Sequence, residues 1–368
     1  MMEEVITVHY DEIALKGKNR PVFQRKLIDN IVEKMGAKTE LRESRLIIHN
    51  ADAEAYEKLR LTPGVSWYAK GLVMERDYNK LEEVLKDLVS MSPERNLNLD
   101  VKRADKGFED TSLELKGRLC KNLRIKLDKS ARKVRVDIMH DLFIINYDIE
   151  RGIGGLPVGT AGKVISLFSG GIDSAVAPIE IMKRGAKVDL LHVYALPSHE
   201  AALNQKINRL ASRIAEVGGL DLYLVPFHVF SMKTIDVDSR YELVLFKRFL
   251  LKLADSIARN YGYKAICSGD ALSQVASQTL DNINAVSYGI DTPVLRPLIG
   301  YNKEEIILKA KRYGTYDISI EDYKDCCSIT SRNPATSVKR EKLEEIEKKV
   351  DMDAIVEKSI EKINVKTY

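Results

Sequence analysis

Residues 163–174 are Lys163-Val-Ile-Ser-Leu-Phe-Ser169-Gly170-Gly171-Ile-Asp173-Ser174, an apolar run that ends at two adjacent glycines. The run from Val164 to Phe168 predicts a short buried strand, and the residues after Asp173 predict a helix that ends near Arg184. A strand, a glycine turn and a helix N-terminus form an anion site, because the turn exposes backbone N–H groups and the helix dipole favours negative charge. The segment therefore predicts a phosphate-binding loop.

The complete motif, Ser169-Gly-Gly-x-Asp-Ser174 after a strand, is more specific than two glycines alone. It resembles the PP-loop of ATP pyrophosphatases, which bind ATP and release pyrophosphate while they adenylate a substrate. The Gly-x-x-x-x-Gly-Lys-Ser/Thr loop of NTPases that cleave the γ-phosphate is absent from the sequence. An aspartate beside phosphate is costly unless it holds Mg²⁺ or orients the nucleotide, so one of these roles is predicted for Asp173.

Composition limits the class of protein. The chain has 368 residues, 45% of them hydrophobic and 30% charged, which is typical of a soluble globular protein with two or three domains. It contains no run of about 18 apolar residues, which a membrane span needs, and its first residues lack a secretory signal. Four cysteines are too few for a disulfide scaffold in a chain of this length. We therefore expect a cytoplasmic protein without a membrane partner, and a net charge of +4 permits a polyanionic partner.

The first 52 residues predict a small α+β unit of ferredoxin-like type. A strand begins at Val5, and residues at helical spacing follow Pro21. The basic loop between them is compatible both with a solvated loop and with a contact to an RNA phosphate backbone. The candidate contacts in this loop are Lys16, Lys18 and Arg20.

A second basic segment extends from Glu114 to Arg135. Leucines recur every fourth residue from Leu115 to Leu127, which predicts one apolar stripe on a helix, and nine basic residues surround this stripe against two acidic ones. A helix face of a single charge sign suits a phosphate backbone, and a plain basic surface is the alternative. The candidate RNA contacts here are Lys121, Arg124 and Lys129.

Five glycines between residues 151 and 162 predict a linker or hinge. Strands and helices alternate after it, which predicts a doubly wound parallel sheet with helices on both faces. Such sheets bind ligands beyond the carboxyl ends of their strands, where residues 169–174, 192–193 and 269–270 are expected.

Two further features indicate a site at this edge. Lys247 projects among apolar residues of a long predicted helix, so its ammonium needs either an anion such as a phosphate or a position at the rim of the core. Gln274 and Gln278 are four residues apart and share one helix face, from which both amides could reach the site.

Besides the phosphate loop, three motifs carry a family resemblance: Gly269-Asp-Ala-Leu-Ser-Gln-Val-Ala-Ser-Gln278-Thr-Leu, Leu295-Arg-Pro-Leu-Ile-Gly-Tyr-Asn-Lys-Glu-Glu and Asp325-Cys-Cys-Ser-Ile329. Through them the chain resembles the tRNA 4-thiouridine synthetase family over essentially its whole length. The resemblance implies a ferredoxin-like domain at 1–52, a THUMP RNA-binding domain at 53–155 and a PP-loop domain, similar to the adenine nucleotide alpha hydrolases, at 156–368. It also implies that ATP adenylates the C4 oxygen of uridine 8 in tRNA and that a sulfur nucleophile then displaces AMP to leave 4-thiouridine.

The resemblance also implies roles for individual residues. Asp173 would serve catalysis through Mg²⁺ or by positioning the adenylate. Cys327 would handle the sulfur, since a thiolate is a competent nucleophile where cationic groups lower its pKa. A homodimer is implied as well. The implied ATP contacts are Leu167, Phe168, Ser169, Gly170, Gly171, Asp173, Ser174, His192, Val193, Lys247, Gly269 and Gln278.

We expect an archaeal-type member of that family, without the rhodanese-like domain of the longer bacterial members. The sulfur donor is therefore open between a separate persulfide carrier, free sulfide and an iron–sulfur cluster. Cys267, Cys326 and Cys327 are the candidate cluster ligands. Two other functions fit parts of the pattern: another PP-loop enzyme, such as a different tRNA thiolase or an amidating synthetase, and a tRNA-binding module with a vestigial ATP site.

Overall fold

The computed structural model describes residues 2–203, 205–323, 326, 330 and 335–368. The chain divides into two compact units, Met1–Pro157 and Val158–Tyr368. Each unit has its own sheet and its own helices. The finer division of the first half into domains at 1–52 and 53–155 stays a prediction.

The first unit is built on one eight-stranded sheet with strand order β2-β3-β1-β4-β8-β7-β5-β6. The strand β4 joins its two halves, since it pairs with β1 on one side and with β8 on the other, both antiparallel. The elements of this unit are β1 (Met2–His9), a 3-10 helix (Glu12–Asn19), α1 (Arg20–Met35), β2 (Thr39–Arg42), β3 (Arg45–His49), α2 (Ala53–Leu59), β4 (Trp67–Glu75), α3 (Tyr78–Ser90), a 3-10 turn (Pro93–Arg95), β5 (Asn96–Arg103), α4 (Ser112–Leu123), β6 (Lys126–Leu127), β7 (Lys133–Ile138) and β8 (Leu142–Arg151).

Helix α1 shows why the local sequence folds as it does. It has Pro21 in its first turn, where a missing N–H costs nothing. It ends at Gly36, whose φ of +65° is the left-handed conformation that glycine adopts without strain. Leu27 and Ile31 are fully buried in a core that includes Val8 of β1. The ferredoxin-like prediction for this part of the chain is confirmed.

The basic segment 114–135 is not one helix, contrary to the sequence prediction. Helix α4 ends at Leu123, because Arg124 adopts a left-handed conformation with φ of +53° and its N–H caps the carbonyls of the last turn. The chain then turns so that Ile125 is buried, and Leu127 is 55% exposed in the short strand β6, which pairs with β5. The leucine repeat therefore continues beyond the helix without forming an apolar stripe there.

The second unit is built on a six-stranded sheet with strand order β13-β12-β9-β10-β11-β14. Its first five strands are parallel to one another and β14 is an antiparallel edge strand, which confirms the predicted parallel sheet. The elements are β9 (Lys163–Leu167), α5 (Ile172–Met182), β10 (Lys187–Tyr194), α6 (His199–Leu203), α7 (Lys206–Gly218), β11 (Asp221–Pro226), α8 (His228–Ser231), α9 (Ser239–Tyr261), β12 (Ala265–Cys267), a 3-10 turn (Ala276–Gln278), α10 (Leu280–Ser287), β13 (Val294–Leu295), α11 (Lys303–Tyr313), α12 (Tyr316–Ser319), α13 (Arg340–Val350), α14 (Met352–Glu361) and β14 (Asn364–Thr367).

Helix α9 is buried on more sides than its apolar pattern indicates. Phe246 and Phe249 lie in the core of the second unit. At 100° per residue Arg248 projects opposite Phe246, which indicates a solvent-facing side chain, yet Arg248 is only 3% exposed. Its Nε lies 3.2 Å from Oε1 of Glu347 in α13, and its Nη1 donates to the carbonyl of Val286 at 3.0 Å. The helices that follow α9 in the chain cover this face and supply the counter-ion that a buried guanidinium needs.

Candidate active site

Hydrogen bonds of Ser169 and Ser174 stabilise the loop between β9 and α5. The backbone N–H of Ser169 donates to Oγ of Ser174 at 3.2 Å, and that hydroxyl donates to the carbonyl of Gly171 at 3.0 Å. The N–H of Gly171 donates to Oγ of Ser169 at 3.3 Å. These bonds fix a turn at the N-terminus of α5, where unpaired backbone N–H groups and the helix dipole attract anions.

Two glycines allow other elements to approach this loop. Gly170 has φ of +87°, and a Cβ added there would lie 2.6 Å from Cδ1 of Ile207 in α7. A Cβ on Gly269, which follows β12, would lie 3.0 Å from the backbone of Asp173 and Ser174. Glycine is required at both positions because a larger residue would push the loop away from its neighbours.

A cavity of about 460 Å³ opens at the carboxyl ends of β9, β10 and β12. Apolar side chains form most of the cavity wall, and polar groups of the loop between β9 and α5 form part of the rest. This combination suits a ligand with a flat apolar part and an anionic part. The lining residues are Leu167, Phe168, Ser169, Asp173, Ser174, Leu191, Val193, Leu243, Phe246, Lys247, Leu250, Leu251, Ser268, Gly269, Asp270, Val275, Ser277, Gln278 and Val286.

The ammonium of Lys247 has an anion within the protein. Its Nζ lies 3.0 Å from Oδ1 of Asp270, whose Oδ2 accepts from Oγ of Ser268 at 2.6 Å and lies 3.4 Å from Nε of Arg296. Burial alone would raise the pKa of Asp270, but the charge of Lys247 and the bond from Ser268 outweigh it and hold the pKa below its usual range. Asp270 is thus a carboxylate that holds Lys247 at the cavity.

Asp173 is held from two sides. Lys303, the first residue of α11, places its Nζ 2.8 Å from Oδ1 of Asp173, and Nε2 of Gln274 donates to Oδ2 at 2.7 Å. Sequence reasoning placed Asp270 at this edge without a partner, and it gave no individual role to Arg296 or Lys303, which lie in the motif 295–305. A signal for Lys303 existed, because a cation in the first turn of a helix opposes the helix dipole and so calls for a nearby carboxylate.

His192 lies behind the cavity wall and is fully buried. Its Nδ1 is 2.7 Å from the carbonyl of Phe168, which can only accept, so Nδ1 carries the proton and Nε2 accepts from the hydroxyl of Tyr323 at 2.8 Å. Burial lowers the pKa of His192 to about 4, against a smaller opposite effect of the Phe168 carbonyl. The neutral imidazole therefore supports Phe168 rather than contacting the cavity itself.

The proposed sulfur-carrying residue, Cys327, lies outside the described residues. Its neighbour Cys326 is buried, with Sγ 3.3 Å from the carbonyl of Val193. Cys267 is buried in β12, and burial raises the pKa of its thiol to about 12. Within the described ranges no group of three or more His, Cys, Asp and Glu side chains is placed to hold a metal ion.

The candidate RNA contacts all belong to the first unit. In the N-terminal loop Lys18 is exposed, whereas Lys16 is half-buried with its ammonium 5.0 Å from the ring of Phe23. Arg20 donates to the hydroxyl of Tyr10 at 2.9 Å and so has a structural partner. The three candidates at the end of α4 and beyond it are exposed: Lys121, Arg124 and Lys129.

Among the predicted ATP contacts, most come together in one place. Those that line the cavity are Leu167, Phe168, Ser169, Asp173, Ser174, Val193, Lys247, Gly269 and Gln278. Gly170 and Gly171 complete the turn, and His192 stands behind it. A glycine loop at the end of a parallel strand, with an Asp and a Ser opening the next helix, defines a PP-loop ATP pyrophosphatase fold.

The chain belongs to the ThiI family. Residues 159–352 match the family described as "Thiamine biosynthesis protein (ThiI)", and residues 5–69 match the "ThiI ferredoxin-like domain". The chain is 35% identical to a "Probable tRNA sulfurtransferase" of Macrococcus caseolyticus, over all of this chain and 96% of the relative. A protein of the same description from Thermus thermophilus is 33% identical over all of this chain and 95% of the relative.

A solved structure shares the fold along the whole chain. It is described as a 4-thiouridine synthetase–RNA complex with bound ATP, is 30% identical, and superposes with a TM-score of 0.86 over 99% of both chains. A helix long and apolar enough to cross a membrane is not found in the described part of the chain.

Proposed function

We propose that this chain is an ATP-dependent tRNA sulfurtransferase, which adenylates the C4 oxygen of uridine 8 in tRNA and replaces that oxygen with sulfur to give 4-thiouridine. The observation that carries the proposal is the cavity itself. It joins an anion-binding loop, an apolar wall and a positioned lysine in a chain whose relatives are described as tRNA sulfurtransferases.

The fit to ATP follows from the lining residues. The backbone N–H groups at the start of α5 suit the phosphates, and Lys247 supplies a positive charge beside them. The apolar wall, which includes Leu167 and Val193, suits the flat adenine ring. In this arrangement the triphosphate lies at the loop, and Asp173 lies beside the reacting α-phosphate.

Adenylation requires charge stabilisation more than covalent chemistry from the protein. The uracil C4 oxygen attacks the α-phosphorus, the bond to the β-phosphate oxygen breaks, and pyrophosphate leaves. Lys303, paired with Asp173, lies where it stabilises negative charge that develops on the phosphates. Asp173 in turn orients Lys303.

Magnesium is not built into this mechanism. Both carboxylate oxygens of Asp173 accept hydrogen bonds, from Lys303 and Gln274, so a metal ion would have to compete with the ammonium of Lys303. The arrangement does not fit an ion held by Asp173.

In the second half-reaction a sulfur atom attacks C4 and the bond to AMP breaks. With a persulfide carrier as the donor, the Cys327 thiolate takes the outer sulfur and the carrier leaves as a thiol; the Cys327 persulfide then attacks C4, AMP leaves, and an added thiol releases 4-thiouridine by forming a disulfide with Cys327. With sulfide as the donor, sulfide itself attacks C4 and AMP leaves, without a sulfur carried on Cys327. An iron–sulfur cluster as the donor stays a prediction, since Cys327, one of its three candidate ligands, lies outside the described residues. The tRNA would be held by the basic residues of the first unit, in a cytoplasmic homodimer.

Product analysis tests the proposal. Purified protein is incubated with ATP, unmodified tRNA and sulfide, and pyrophosphate, AMP and 4-thiouridine are quantified, the last by mass spectrometry of digested tRNA. We expect all three products in equal amounts, and none with Asp173→Asn. Release of pyrophosphate with a substrate other than tRNA would favour an amidating synthetase, and tRNA binding without any pyrophosphate would indicate a vestigial site.

A further inference from the structure

Asp270 is a carboxylate shared by two cations from different elements. Lys247 of α9 approaches Oδ1 at 3.0 Å, and Arg296, which follows β13, approaches Oδ2 with Nε at 3.4 Å. Nη2 of Arg296 also donates to Oγ of Ser287 at 2.8 Å, which fixes the guanidinium beside the carboxylate. The side chains of Asp270 and Arg296 are each only 15% exposed, so these charges are largely removed from water.

The two cations have different access to the cavity. Lys247 and Asp270 are among the described residues that line it, and Arg296 is not. A phosphate in the cavity can therefore meet Lys247 directly, whereas Arg296 stands behind Asp270. Neutral groups also donate to the carboxylate, Nε2 of Gln278 to Oδ1 at 3.4 Å and Oγ of Ser268 to Oδ2 at 2.6 Å. Lys247 and Arg296 are the cations, one at each oxygen.

To pair with a phosphate, the ammonium of Lys247 has to leave Asp270, and this exchange has an energetic cost. A carboxylate left without a counter-ion in a largely buried position is destabilised even when neutral groups donate to it, and the nearby negative charge of a triphosphate would add to this. If Lys247 were the only counter-ion of Asp270, this destabilisation would oppose nucleotide binding. With Arg296 in place Asp270 keeps a counter-ion after Lys247 has turned away.

We propose that Arg296 is a positioning residue that acts as the second counter-ion of Asp270, so that Lys247 can exchange Asp270 for a phosphate of ATP. The inference rests on the proposed function, since it takes ATP as the ligand of the cavity. Arg296, in the Arg-Pro dipeptide after β13, thus contributes to nucleotide affinity in addition to its place in the connection from β13 to α11.

Calorimetric titration of the full-length protein with α,β-methylene-ATP tests this. Arg296→Met leaves Lys247 as the main cationic partner of Asp270, so we expect the Kd to rise at least about tenfold. Arg296→Lys loses the bond to Ser287 but keeps the charge that the inference requires, so it is expected to stay within about threefold of the wild type. Arg259→Met is the matched control, because Arg259 also pairs with an aspartate, Asp255, but at an exposed position of α9 away from the cavity.

A double-mutant cycle separates this role from a structural one. In an Asp270→Asn background Lys247 has no carboxylate to leave, so Arg296→Met should change the Kd less than about threefold there. A purely structural arginine would weaken binding equally in both backgrounds, and that result would overturn the inference, as would an unchanged Kd in Arg296→Met. Thermal melting identifies any variant that fails to fold. If Arg296→Met is such a variant, the Kd of Arg296→Lys is compared with that of the wild type instead. Wild-type protein that does not bind the nucleotide at all would instead overturn the proposed function.

Discussion

Lys303 lies 2.8 Å from Asp173, although 130 residues separate them in the chain. The pair joins the first turn of α11 to the first turn of α5. Lys303 is the N-terminal residue of a helix that has a complete capping box between Asn302 and Glu305, so its backbone is well fixed. The pair puts a cation next to the loop at which the phosphates of ATP are proposed to bind.

Replacement of Lys303 tests this pairing. Lys303→Met should lower kcat for pyrophosphate release by about 10²-fold, the usual effect of removing one donor that stabilises charge in the transition state. The KM for tRNA should change little. Lys311→Met on the same helix is the control, since Lys311 is exposed and its ammonium lies over the ring of Tyr316. Equal kcat values for the two variants would exclude a role of Lys303 in the reaction.

The hydroxyl of Tyr323 is expected to support the loop through His192. Tyr323→Phe leaves Nε2 of the buried His192 without this donor, which costs about 1–3 kcal/mol. We expect a lower Tm and a weaker affinity for ATP, since His192 holds the carbonyl of Phe168 at the cavity. Differential scanning calorimetry and nucleotide titration measure both. Tyr261→Phe at an exposed position should leave both values unchanged, and the same result for Tyr323→Phe would contradict the prediction.

The two half-reactions should separate at Cys327. In Cys327→Ala we expect ATP-dependent release of pyrophosphate to persist while 4-thiouridine is no longer formed, because the adenylate forms without the thiol. With a persulfide donor and a thiol reductant in place of sulfide, mass spectrometry of the tRNA and a pyrophosphate assay measure the two steps in one sample. Cys120→Ser, a change in α4 of the first unit, should form 4-thiouridine normally. Normal thiolation by Cys327→Ala would assign the sulfur to another residue.

Neutralisation of three exposed cations tests the RNA surface. The triple change of Lys121, Arg124 and Lys129 to Gln should weaken tRNA binding and lower the slope of log K against log salt by about 0.7–0.9 for each phosphate that these cations neutralise in the wild type. Filter binding at several salt concentrations measures the slope. Lys58→Gln is the control, because Lys58 pairs with Glu54 in α2. A slope equal to that of the wild type would mean that these residues form a plain basic surface.

Stability should fall in mild acid because of His192. Its pKa is about 4 in the folded protein, through burial, and 6.5 in the unfolded chain. The unfolded state therefore binds more protons between pH 6.5 and 4, so the free energy of unfolding declines as the pH falls through this window, by up to about 1.4 kcal/mol per pH unit. Urea denaturation of wild-type protein and His192→Asn at pH 7, 6 and 5 measures the difference. A parallel pH dependence of both proteins would refute this assignment.

Local sequence signals were sufficient to predict the loop at residues 169–174 and the parallel sheet of the second unit. An apolar run, two glycines and a helix start occupy consecutive residues from 163 to 174, so neighbours in the chain decide the turn. The alternation of strands and helices after it permits few topologies besides a parallel sheet, which in turn brings the strand ends to one edge. The residues at that edge were therefore predictable in position.

Tertiary structure alone decided which charges meet there. Periodicity assigns Lys247 and Arg248 to faces of α9, but it does not name a partner, and the anions that hold them are Asp270 and Glu347. The same limit applies to Lys303, whose carboxylate lies in another helix. A pattern of residues determines which side of a helix or strand is apolar. The pairing of buried charges depends instead on segments far apart in the chain, because only the packed fold brings the charged groups within a few ångströms of each other.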